Sequence, residues 1–458
     1  MDEIKLAVIP VTRKYQYCLL NNNTFRIVKM MRKLIIKYRF TLLMPVLFLF
    51  SLYSSDLAGQ AEESAEEICN DENIKTILLY RAGWDLSMPV LIMDEDESLE
   101  LHFDYLGEPQ EDYSYSVINC TYDWKINPIP EHYYLDGFND IPVYDYHPSR
   151  NTTRYFTHYT ARIPGDDLQI TGTGNYLLKV YKNNDPDSIA FTRRFAVARK
   201  TTDIIARVNR PDNENQELML QIDLGKLRLT NPLEEVKIVI LKNYDWNNLV
   251  NINSGPLLQD NWLHLDMPYQ ILSPGGNEFR YADTKSTKFI SERVDRIEYD
   301  VSEFNFYLKP DELKQYEPYF YSADLNGRSF YEIPDAHDRH LESDYVKVHF
   351  ILESPQSLGT DLYIYGALTD WRTGENNYMT YNPDRQAYEK TLLLKQGLLN
   401  YWYVTRDYNT NVLMSDITEG NHAETENDYL IFIYLRKTMS DRDQLVGFTI
   451  VNSAENHP

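Results

Sequence analysis

Imidazoles, carboxylates and guanidinium groups do most acid–base and metal chemistry, and the chain holds 10 His, 69 Asp and Glu and 45 Lys and Arg. The densest histidine group is His337-Asp338-Arg339-His340. These residues could meet a metal ion, but they lie in the polar stretch 333–340, where a solvated linker is expected. His158 stands between Thr157 and Tyr159 in a strand pattern and alternates faces with them. A hydrogen-bonded structural role is expected there rather than that of a general base. Asp94-Glu95-Asp96-Glu97 reads as a solvated turn, because adjacent carboxylates occur throughout so acidic a chain. Arg280, in Phe279-Arg-Tyr-Ala-Asp283, and the pair Arg193-Arg194 are expected to meet nearby carboxylates or cap strand edges. There is no Gly-rich phosphate loop, nucleophile elbow, His-Glu-x-x-His helix or Cys-x-x-Cys pair. The sequence therefore offers no catalytic residue, no cofactor or metal site, and no small-molecule substrate.

Two thiols follow the N-terminal segment, Cys69 and Cys120. In an oxidising compartment they form a possible disulfide across a loop of about 50 residues, worth roughly 3–4 kcal/mol in the chain-entropy account. Two buried free thiols are the alternative, and without partnering histidines they make a poor zinc site. Trp371 and Trp402, with Tyr363 and Tyr365, could make a flat platform for sugar rings; packing in a core or interface is the alternative. The stretch 127–149 is rich in Pro, Tyr and Asp and reads as a long ordered loop. Its rings, Tyr133, Tyr134, Phe138, Tyr144 and Tyr146, are the expected partner surface, since binding residues gather on loops held by a rigid scaffold.

The elements that must hold these residues are strands. Segments such as Ile74-Lys-Thr-Ile-Leu-Leu-Tyr80 and Ser98-Leu-Glu-Leu-His-Phe103 alternate in the manner of half-buried strands. The 37 Tyr and 13% aromatic residues favour pleated surfaces. The expected class is all-β: tandem immunoglobulin-like or early-set-like sandwiches. The expected units are 62–200, 201–340 and 341–458. In the last, a strand ending in Gly366 precedes Asp370-Trp371, which resembles sandwiches of the glycogen-binding type.

Net charge is −24, yet residues 1–59 carry nine Lys and Arg against three Asp and Glu, leaving 36 basic and 66 acidic residues, or −30, for the rest. So acidic a body repels phosphate backbones and excludes nucleic acid as a partner. Arg32, Lys33, Lys37 and Arg39 precede an apolar run over 41–52, then the small residues Ser54, Ser55, Ala58, Gly59 and Ala61. That order predicts a secretory signal peptide within 1–61, with a start at Met30 or Met31 and cleavage near Gly59 or Ala61. The run is too short for a stable membrane anchor, and no later stretch approaches spanning length.

One further pattern is the order of short aromatic and polar motifs. It runs Phe103-Asp104-Tyr105-Leu106, Tyr113-x-Tyr115, Cys120-Thr-Tyr-Asp123-Trp124, Gly137-Phe138, Tyr155-Phe-Thr-His158-Tyr159 and Gly174-Asn175-Tyr176. It continues with Arg193-Arg194-Phe195, Gly276-Asn277-Glu-Phe279-Arg280-Tyr281, Asp344-Tyr345-Val346, Thr425-Glu-Asn427-Asp428-Tyr429 and Leu445-Val446-Gly447. The ordered set, over roughly 74–451, resembles the type IX secretion system plug protein family of Bacteroidetes. Asn119 and Tyr105 depart from that pattern, where a His and a second Asp are usual. The resemblance implies a non-enzymatic periplasmic protein at the outer membrane that binds the giant β-barrel translocon and closes its periplasmic mouth. An alternative is a sandwich that binds carbohydrate or envelope glycan, centred on Trp371.

Overall fold

Alternating segments do become strands, and the computed structural model describes residues 64–252, 255–268, 270–407, 410–437 and 442–454. The expected export signal, 1–61, lies outside the described residues. The strands pack as three two-sheet sandwiches, all within one compact unit running from Ser64.

In the N-terminal sandwich one sheet runs, in spatial order, Ile74–Arg81, Leu99–Tyr105, Thr157–Ile163 and Asp145–Pro148. The facing sheet runs Val90–Ile92, Ile189–Ala198, Gly174–Lys182, Tyr113–Cys120 and Ile141–Pro142. Period-two alternation sends Leu99, Leu101, Phe103 and Tyr105 into the core between them. There the Phe103 ring stacks on Tyr159 at 4.8 Å and meets Tyr113 edge-on at 5.1 Å. The stretch expected as a loop, 127–149, supplies edge strands Leu135–Gly137, Ile141–Pro142 and Asp145–Pro148 besides a 3-10 turn.

The second sandwich corrects the expected division at residue 340. One of its sheets holds Ile204–Asn209, Asn215–Asp223, Trp262–Leu265 and Leu257–Gln259. The other runs Leu249–Ile252, Val236–Lys242, Asp428–Leu435 and Gln444–Asn452, so the last two strands of the chain complete the middle unit. Every residue of Asp428–Leu435 is buried. One face packs into the sandwich core; the other brings Leu430, Phe432 and Tyr434 against Cys120, Trp124 and Leu177 of the N-terminal unit.

Residues 280–414 form the third sandwich, inserted into the second. The sheet around Gly397–Arg406 faces the sheet Val294–Asp300, Glu303–Leu308, Tyr345–Glu353, Ala387–Lys395 and Thr380–Asn382. Among the described residues α-helix is confined to four-residue pieces, and no helix is long and apolar enough to cross a membrane.

Candidate functional sites

Four of the five rings expected to face a partner do reach solvent. Tyr133, Phe138, Tyr144 and Tyr146 are 59%, 74%, 82% and 40% exposed. Tyr134 is a correction. It is buried in the N-terminal core beside Tyr176, at 5.9 Å between rings, because the backbone turns inward directly after Tyr133. The exposed rings stand on a braced segment. The Asn139 side chain accepts from Val117 N–H at 2.7 Å and donates to its carbonyl at 3.0 Å. Phe138 N–H donates to Asp167 O at 2.9 Å, and a Cβ at Gly137 (φ +104°) would lie 2.1 Å from that carbonyl. Tyr155, 52% exposed, adds a ring that the sequence reading passed over.

The sugar platform does not form. Trp402 lies flat on Phe279, with centroids 3.9 Å apart and planes within 2°. Trp371 meets Phe279 at 6.1 Å and Tyr365 at 5.4 Å, both edge-on, and the Tyr365 hydroxyl donates to Asp245 at 2.6 Å. Tyr363 and Tyr365 are each 6% exposed. Phe279 covers one face of Trp402, and Trp371 stands steeply inclined to Phe279 and Tyr365, so the four rings do not share one flat plane.

The possible disulfide is also corrected: both thiols are free. Cys69 bridges to Phe191, which pairs with Val180, whereas Cys120 pairs with Asn175 on that same strand. Five residues at about 3.4 Å each separate the two positions along the strand, so they lie some 17 Å apart, against the ~7 Å Cα separation a disulfide tolerates. Burial pushes the Cys120 thiol up to about 12.

Arg193 and Arg280 meet carboxylates as expected, whereas Arg194 meets backbone carbonyls and a ring. Arg193 pairs with Asp370 at 2.9 Å, while Arg194 donates to the Ala65 and Trp246 carbonyls and lies over the Trp124 ring. Arg280 holds Asp311 at 2.9 Å and Glu419 at 2.8 Å, all three buried, and the Tyr401 and Tyr403 hydroxyls donate to the second Asp311 oxygen at 2.8 Å each.

The densest polar arrangement lies where the N-terminal sandwich meets the inserted one. In strand Leu99–Tyr105 the outward positions are Glu100, His102 and Asp104, yet His102 is 7% exposed and Asp104 fully buried. Register sets His158 opposite Asp104 and Thr160 opposite His102. His158 Nδ1 lies 2.6 Å from Asp104 Oδ1. Asp104 Oδ2 accepts from the Tyr345 hydroxyl and from Lys395 Nζ, both at 2.7 Å. Burial alone would raise the Asp104 carboxyl; Lys395 and His158 outweigh it and hold the group below the usual range.

His340 belongs to this arrangement, contrary to the solvated linker expected for 337–340. Its segment forms the short helix Arg339–Glu342, capped by Asp338, whose carboxylate accepts from His340 N–H at 3.0 Å. Leu341 anchors the helix in the interior, and the His340 ring stacks on His102 at 4.4 Å, within 4° of parallel. His102 Nδ1 is 3.0 Å from His158 Nε2, and Tyr80 stacks on His102 at 5.4 Å. Burial drives the His102 ring down to about 3 and the His340 ring to about 2, so both are neutral near pH 7. A cavity of about 620 Å³ opens beside the cluster, walled by Cys69, Tyr80, Arg193, Asp370, Trp371 and Lys395. Of the network, sequence reasoning isolated His158 and His340 but missed Asp104 and Lys395. Their signal was a charge inside or ending an apolar strand, as in Leu392-Leu-Leu-Lys395.

Comparison with known proteins bears on what these features serve. Residues 74–199 match the family model of the type 9 secretion system plug protein, first domain. A solved structure of a hypothetical protein from Parabacteroides merdae is 30% identical, with a TM-score of 0.81 over 86% of this chain and 100% of that one. A serine-rich repeat adhesion glycoprotein from Streptococcus agalactiae is 10% identical over 48% of this chain and 93% of its own, with a TM-score of 0.11, too low to indicate a shared fold. No protein of curated function matches.

Proposed function

The chain belongs to the type IX secretion system plug protein family, and from that premise we propose that it binds the giant outer-membrane β-barrel translocon from the periplasmic side and closes that opening while no substrate is in transit. It takes part in type IX secretion, and its family is not one of enzymes. The observation that carries the reading is the exposure of Tyr133, Phe138, Tyr144 and Tyr146 on a braced segment of the domain that matches the plug model. Aromatic side chains of this kind bury large area with few rotors to immobilise, which suits a partner contact. A plug needs shape and reversible adhesion rather than a catalytic set, and interlocked sandwiches supply a rigid body for that. The export signal expected in 1–61 and the acidic remainder of the chain agree with a periplasmic protein that avoids anionic lipid.

The test is a pull-down of the tagged mature protein from native membranes in mild detergent, with photo-crosslinkers at Phe138 and Tyr144 in living cells. Recovery of the large barrel, crosslinked at these positions, supports the proposal. Its absence from both experiments sinks it.

A further inference from the structure

The histidine cluster carries an inference independent of the translocon reading. We propose that His102, His158 and His340 form a site for a divalent transition metal of the zinc class, joining the N-terminal sandwich to the short helix of the inserted one. One ring nitrogen from each residue lies within 4.8 Å of the other two.

Proton accounting argues for a cation there. Asp104 accepts from Lys395 and Tyr345, so its contact with His158 Nδ1 uses the imidazole N–H. In the tautomer with its N–H on Nδ1, the lone-pair nitrogen of His158 is Nε2, and it lies 3.0 Å from His102 Nδ1. If His102 donates from Nδ1, its own Nε2 becomes a bare acceptor. That atom is buried without a hydrogen-bond partner and faces the Glu100 carboxylate at 3.8 Å, another acceptor. If instead His102 carries its proton on Nε2, toward Glu100, its Nδ1 can accept from the Thr160 hydroxyl at 3.3 Å, yet it still confronts the His158 lone pair across 3.0 Å. A metal ion between them resolves both difficulties: each ring gives its lone pair to the ion and turns its N–H toward a carboxylate, Asp104 or Glu100. Carboxylate-backed imidazoles of this kind are the usual second layer of metal sites. The spacing also fits, since two nitrogens about 2.05 Å from a tetrahedral zinc stand about 3.3 Å apart.

His340 completes the set. Its ring lies parallel to His102, and one of its nitrogens stands within 4.8 Å of the other two ligand atoms. A cleft of about 400 Å³, lined by His337, Asp338 and His340, offers a path for the ion and space for a water ligand. Two cations stand nearby: Lys395 is neutralised by Asp104 and held by the His340 carbonyl at 2.7 Å, and Arg339 pairs with Asp85. A proton shared by His102 and His158 would satisfy the same lone pairs, so the experiment must separate proton from metal.

The full mature chain, purified without a histidine tag and stripped with chelator, is titrated with Co2+ and then Zn2+. One equivalent of Co2+ with the visible absorption of a four-coordinate centre, displaced by Zn2+, is expected. The His340→Gln variant is expected to lose at least tenfold in affinity, and His337→Gln, at the cleft, to keep it. Absence of stoichiometric binding by the wild-type chain overturns the proposal even if the variant misfolds. So does undiminished binding by folded His340→Gln, or imidazole nitrogen NMR showing a proton between His102 and His158 after zinc is added.

Discussion

Asp104 and Lys395, 291 positions apart in the chain, meet at 2.7 Å with side chains only 1% and 2% exposed. The contact locks the N-terminal sandwich to the inserted one. A buried ion pair adds little over an apolar pair of the same shape, but breaking one side strands a charge. Lys395→Met is expected to cost on the order of 3–5 kcal/mol in denaturant unfolding. Combining it with Asp104→Asn should restore much of that loss, because the two residues share one interaction. A single-variant cost below about 1 kcal/mol would show that the pair does not hold the sandwiches together.

Arg280 makes a corresponding lock between the inserted sandwich and the segment that leaves it. Its guanidinium spans Asp311 and Glu419 at once, a fork that an ammonium cannot reproduce. Arg280→Lys is expected to lose about 2–4 kcal/mol despite keeping the charge, since a single ammonium cannot hold both buried carboxylates, although Arg293 also pairs with Asp311 and Tyr403 N–H with Glu419. Thermal unfolding indistinguishable from wild type would refute this.

Strand identity was legible in the sequence because alternation is local. The unbroken run Tyr429-Leu-Ile-Phe-Ile-Tyr-Leu435 announces burial on both faces, and both faces are buried. Its partner, Val236–Lys242, lies some 190 residues earlier, and the pairing is made by backbone hydrogen bonds that no side-chain pattern labels. For that reason the inserted sandwich and the boundary at 340 could not be read correctly. The site failed to show for a related cause. Asp104 sits at an outward position in its strand, and only the docking of Tyr345 and Lys395 over that face makes it interior. His340 looked solvated because its chain neighbours are polar, whereas its environment is set by His102, which belongs to another sandwich. The rings of 127–149 were the readable part, apart from Tyr134, whose inward turn depends on a single backbone step.

The exposed rings should separate binding from folding. Phe138→Ser and Tyr144→Ser remove surface side chains with no core contact, so stability should stay within about 0.5 kcal/mol of wild type. Recovery of the barrel in a pull-down should fall tenfold or more, the equivalent of about 1.4 kcal/mol. Tyr134→Ala, one position from an exposed ring, should instead cost about 3–5 kcal/mol through its core cavity. If the two surface variants unfolded early while binding normally, the rings would be structural and the contact would lie elsewhere.

Glu278 gives the fold a pH dependence of definite sign. It is 2% exposed, and burial, helped by the nearby Asp324 and Glu426 carboxylates, pushes its carboxyl up to about 7 against the hydrogen bonds from the Tyr319 hydroxyl and Glu426 N–H. In the unfolded chain the same group ionises near 4.5. Between those values the folded state holds a proton that the unfolded state has released, so stability falls as pH rises from about 4.5 through 7 and levels off above. The full excursion is roughly 3 kcal/mol. Asp324, pushed up to about 6, mainly by burial, adds to the slope with the same sign. Glu278→Gln keeps an oxygen to accept from Tyr319 and Glu426 but has no proton to lose. Urea unfolding at pH 5 and pH 8 should therefore show a smaller fall for the variant than for wild type, with the residual slope left to Asp324 and to other raised carboxyls such as Asp245. An equal fall in both proteins would mean that Glu278 is already ionised in the folded chain at pH 5.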